Sequence, residues 1–120
     1  MGKELSGTGP GQGLRRRLDE AVVLQGTVLQ LRKDLQAEHL ELPVVGEAAF
    51  EELRAQVLAL VEERECAGAH AFGLVVNRVD LTERQVREAL AAGGLHALAA
   101  SIVLRCLQKV LSRMRYAGRG

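Results

Sequence analysis

The sequence predicts an all-α protein, on three observations. Apolar residues recur at three- and four-residue spacing through successive long stretches of the chain. The composition is 48% hydrophobic but only 2% aromatic, with no Trp. Leu, Val and Ala must therefore supply nearly all the burial, which suits interleaved helices better than a β-sandwich. The β-branched run LVVNRVD is short enough to be a link between helices. With 120 residues the chain makes one small domain, and a 26% charged fraction beside so many apolar residues argues against disorder for most of it.

Residues 1–13 (MGKELSGTGPGQG) are Gly-rich and predict a mobile tail. Gly2 and Ser6 match the myristoylation spacing, although no polybasic cluster directly follows. A first helix is expected from Leu14 to about His39. Leu14, Ala21, Leu24, Val28, Leu31 and Leu35 form its stripe, widened by Leu18 and Val22. Gly26 and Thr27 weaken it in the middle, where a bend is expected. Pro43 ends it, and Glu41–Val45 forms an extended link.

A long central helix follows from Glu47 to about Phe72, with acids in its first turn and a stripe of Phe50, Leu53, Val57, Leu60 and Val61. Gly68 and Gly73 are alternative stops. Leu74–Asp80 reads as a second extended link. Thr82 with Gln85 has capping-box spacing and opens a short helix to Ala92, ended by Gly93-Gly94. The last helix, within residues 93–117, is apolar through Leu98, Ile102, Val103, Cys106, Leu107, Val110, Leu111 and Met114, and residues 118–120 are expected to fray.

Charge and site chemistry narrow the function. Net charge is +1, so the total demands no polyanion. The distribution is uneven, however. Acids dominate from Glu47 to Glu65, whereas from Leu95 onward every charged residue is basic. Arg15, Arg16 and Arg17 open the first helix, where positive charge opposes the macrodipole. They read either as phosphate contacts or as a solvated helix start beside Asp19 and Glu20. Arg105, Lys109 and Arg113 follow at i, i+4 steps and predict a basic ridge that is either solvated or a site for an anion or an acidic partner.

His39, His70 and His96 lack metal-ligand spacing, and Cys66 with His70 has no orienting third group, so no metal, no cofactor and no enzymatic activity are expected. Both cysteines read as small buried hydrophobes in a reducing compartment. No apolar run of the ~20 residues needed to span a bilayer is apparent.

This order of elements, with RVDLTERQVREAL as second loop and third helix, resembles the histone-fold family. The resemblance covers about residues 14–92 and leaves an extra C-terminal helix at 93–117. Asp80 stands where the family usually has Thr, and the strongly basic character of DNA-wrapping histones is absent. The resemblance implies a heterodimer with a histone-fold partner whose central helices cross, placing Phe50, Leu53, Val57, Leu60 and Val61 at the interface. It further implies phosphate contacts from Arg78 in the second loop and from Arg15, Arg16 and Arg17. The expectation is a nuclear chromatin or DNA-repair subunit acting by heterodimerisation, with DNA as a candidate ligand. The alternative is a helical adaptor that binds proteins only, at a membrane or cytoskeletal complex. Self-association into a four-helix bundle is a further alternative, since the first and last helices both have broad apolar faces.

Overall fold

The protein is all-α, as its periodicity predicts, and no strand occurs among the described residues. The structure is a computed structural model that describes residues 12–119. Most of the expected tail and the motif at Gly2 and Ser6 lie outside the described residues. Helix α1 spans Gln12–Arg16 and runs into a single 3-10 turn, Arg17–Asp19, that buries Leu18. Glu20 is extended (φ −96°, ψ 121°) and starts a new helix, α2, over Ala21–Leu35. The expected first helix is therefore two pieces, broken at Glu20 rather than bent at Gly26.

Gly26 is helical and sits where α2 meets the last helix: a Cβ there would lie 3.0 Å from Val110 Cγ1. Thr27 satisfies its buried hydroxyl by donating to the Val23 carbonyl at 2.8 Å. Gln36 closes α2 in the left-handed region (φ 53°), and the Ala37 amide donates to the Arg32 carbonyl.

The link from Gln36 to Ala48 is tied down rather than loose. The Arg32 guanidinium donates to the Leu40 carbonyl at 2.6 and 2.9 Å. Gln56 brackets Glu41, accepting from its amide at 2.8 Å and donating to its carbonyl at 3.0 Å.

Helix α3 spans Ala49–Ala67 and α4 spans Ala69–Val79. The expected central helix to Phe72 is thus divided at Gly68, whose backbone (φ 123°, ψ 167°) is one that side-chain-bearing residues rarely adopt. The expected extended link Leu74–Asp80 is helical as far as Val79. Phe72, Val75, Val76 and Val79 recur at helical spacing and pack on the core, so burial overrides the β-preference of valine. Asp80 (φ 69°) ends α4, and the predicted capping box forms in full. The Gln85 amide donates to Thr82 Oγ1 at 3.0 Å, and Gln85 Oε1 accepts from the Thr82 amide at 2.9 Å.

Helix α5, Glu83–Arg119, contains both the expected short helix and the expected last one, bent at Gly93–Gly94, where φ/ψ leave the helical region. Its backbone is helical to Arg119, and residue 120 lies outside the described residues. Its C-terminal arm is the spine of the fold. Leu98, Ala99, Ile102, Val103, Cys106, Leu107 and Val110 are buried between α2 and α3. α5 also meets the length and hydropathy of a membrane span, with a mean hydropathy of 1.7 in its best window, contrary to the expectation from composition. A third of that window is buried in the bundle.

Phe50, Leu53, Val57, Leu60 and Val61, expected at the interface with a second subunit, are all buried within this chain. The apolar stripe is a buried face, as its spacing predicts, but its cover is the chain's own C-terminal arm. These residues belong to the apolar core of the single chain.

Candidate interaction surfaces

The expected basic ridge on α5 does not hold together in space. Lys109 turns inward, donating to Asp34 Oδ2 at 2.7 Å and to the Arg78 carbonyl at 3.3 Å, with Asp80 Oδ2 at 3.5 Å. Asp34 also accepts from Gln30 Nε2 at 2.9 Å and from the Cys106 thiol at 3.6 Å. Burial first, and the Asp34 carboxylate second, push the Cys106 thiol far above its ordinary value. This cluster joins α2, α4 and α5, and its polar groups satisfy one another. Lys109 is therefore a structural cation, not a phosphate ligand. Cys106 is buried as expected, whereas Cys66 is exposed, on the solvent side of the last turn of α3.

The arginines predicted to contact phosphate are dispersed differently. Arg78 lies exposed in the last turn of α4, not in an extended loop. Arg15 stacks its guanidinium 4.2 Å over the Phe50 ring, and its Nε has no acceptor among the described residues. Arg16 is exposed, and Arg17 pairs with Glu20 at 2.9 Å. Because α1 lies along α5, residues from both ends of the sequence meet there. Arg15 and Arg105 both line an open groove of about 510 Å3 between the two arms of α5, walled by Leu81, Ala89, Ala100 and Leu104. Arg17 and Arg115 share the adjoining hollow with Leu111 and Met114. Arg113 is exposed farther along α5. Arg115 was not among the residues singled out from the sequence, because only the packing of α1 on α5 places it beside Arg17.

His39, His70 and His96 are exposed, and no group of three metal-ligating side chains occurs among the described residues. Arg54 Nη1 donates to His96 Nδ1 at 2.6 Å, tying α3 to the first turn of the C-terminal arm.

Val22, expected to widen the inner stripe of α2, instead belongs to a second apolar surface on its outer side. α2 buries Val23, Leu24, Thr27, Val28, Leu31 and Leu35 on its inner side. On the opposite side Val22 is 61% exposed and Leu29 55% exposed. Leu42, 52% exposed, lies against this outer side, where it shares a dent of about 70 Å3 with Gln25, Val28, Leu29 and Arg32. Val44 and Val45 continue the exposed apolar run. The sequence signal was the seven-residue interval from Val22 to Leu29, two helical turns on one face, masked by the stronger inner stripe.

No protein-family model, curated protein or solved structure matches this chain.

Proposed function

We propose that this chain is a non-enzymatic helical subunit that docks on protein through the outer face of α2 and the link after it. The observation that carries this is the two-faced apolar character of α2. Its inner face completes the core, so Val22 and Leu29, with Leu42 beside them, serve no purpose in the isolated fold. Clustered exposed aliphatic side chains on a rigid helix are what a protein interface needs at its centre. The adaptor alternative fits this geometry better than a histone-type heterodimer, whose core residues are already enclosed. The test is the double variant Val22→Glu/Leu29→Glu in the cells that make the protein. Wild type is expected to sediment in a particle larger than its 13.0 kDa chain, and the variant to leave it with its melting temperature unchanged. An unchanged particle sinks the reading.

Binding of nucleic-acid phosphate is a second reading, supported by two open hollows, one lined by Arg17 and Arg115 and the other by Arg15 and Arg105. Asp19, Glu47 and Glu51 beside Arg16, and Glu88 in the groove, offset part of that charge. Three or four phosphate contacts give a log–log salt slope of about −3 to −4 for duplex DNA. Fluorescence anisotropy of a labelled duplex reads it, and Arg16→Glu/Arg115→Glu is expected to abolish binding. Absence of a complex at low salt eliminates this reading.

A further inference from the structure

We infer that the outer face of α2 pairs antiparallel with α2 of a second copy of this chain, an inference that rests on the docking role proposed for that face. Val22, Gln25, Leu29 and Lys33 succeed one another at intervals of three, four and four residues, which places them in one line along the exposed side of the helix. A two-fold axis passing beside Gln25 sets Val22 of one copy opposite Leu29 of the other. The same operation repeats the contact, as an isologous interface requires. It also aims Val22 at the dent between Leu29 and Leu42, which offers an apolar recess for it.

Charge selects the direction. The start of α2 carries Asp19 and Glu20, with Glu47 and Glu51 nearby, and its last turn carries Arg32 and Lys33. Glu20 is held by Arg17, Arg32 by the Leu40 carbonyl, and Arg15 and Arg16 border the hollow that contains Asp19. Asp19 and Lys33 are exposed and make no ion pair among the described residues. Antiparallel pairing brings Lys33 of each copy to the Asp19 end of the other, and it opposes the two helix dipoles. Parallel pairing would set Lys33 against Lys33 and Asp19 against Asp19.

Sedimentation equilibrium of the purified full chain from micromolar to millimolar concentration tests this. The expected result is a reversible dimer. Val22→Glu/Leu29→Glu is expected to weaken it by roughly 100-fold or more, from the apolar burial lost. Asp19→Lys and Lys33→Asp singly are each expected to weaken it about 5- to 10-fold, and the double exchange Asp19→Lys/Lys33→Asp to restore it to within about twofold. All four positions are exposed, and an unchanged far-ultraviolet circular dichroism spectrum shows that each variant folds. A monomer throughout, or a dimer indifferent to Val22→Glu/Leu29→Glu, overturns the inference. A dimer that the charge exchange fails to restore overturns the antiparallel register. A monomeric wild type whose larger cellular particle still depends on Val22 and Leu29 removes the self-pairing alone and leaves the docking face with a different protein.

Discussion

Lys109 Nζ lies 2.7 Å from Asp34 Oδ2, an ion pair that joins α5 to α2 across 75 residues of sequence, with side chains 15% and 8% exposed. At that depth each charge depends on the other, because water reaches neither well. Lys109 also approaches the C-terminal end of α4 at the Arg78 carbonyl, where a cation suits the helix dipole.

Removing one partner is therefore costlier than removing both. Asp34→Ala is expected to destabilise the protein by about 3 kcal/mol, since it leaves Lys109 without its carboxylate. The double replacement Asp34→Leu/Lys109→Met is expected to lie within about 1–2 kcal/mol of wild type. Urea unfolding of Asp34→Leu, Lys109→Met and the double variant measures the coupling. Simple additivity would show the pair to be unimportant.

Cys106 makes stability depend on alkaline pH. Its thiol is held protonated in the fold, chiefly by burial and secondly by Asp34, whereas the unfolded chain releases that proton near the ordinary value of 9.0. Above that pH the unfolded state binds fewer protons than the folded one, so stability present below it is lost as pH rises. The slope from this group approaches about 1.4 kcal/mol per pH unit. Chemical unfolding between pH 8 and 10.5 should show a shallower decline for Cys106→Ser than for wild type. Equal slopes would contradict the assignment.

Gly68 separates a continuous helix from the divided one. Within an unbroken helix Gly68→Ala would stabilise by about 1 kcal/mol. With the observed φ of 123° and ψ of 167° it is expected to destabilise by about 1–3 kcal/mol. The sign of the change in melting temperature decides between them.

Gly26 is expected to resist the same substitution for a different reason. The added methyl meets Val110 Cγ1 at 3.0 Å, and a valine on a helix has little rotamer freedom to yield. Gly26→Ala should therefore cost about 1 kcal/mol instead of gaining helix propensity. In a Val110→Ala background it should become neutral or stabilising. A cost that persists in that background would locate the strain elsewhere.

Helical spacing made the buried stripe of α3 legible from Phe50 to Val61, and Thr82 with Gln85 announced a helix start that forms as read. The β-branched run at Leu74–Val79 misled. Val75 and Val79 are spaced for a helix as well as suited to a strand, and only the surface available to them decided the outcome. The inward turn of Lys109 and the placing of Arg17 and Arg115 around one hollow had no local signature at all. Each depends on groups far away in the sequence.

The amino-acid order by itself determined that this protein is helical, the inward stripe of α3, and one of its helix caps. These follow from backbone sterics and from contacts within one or two turns. Only the tertiary structure decided what covers each face. It gave the stripe of α3 to α5 of the same chain and left Val22 and Leu29 exposed. Apolar burial is non-directional, so periodicity tells that a surface is covered but not by which helix, or whose.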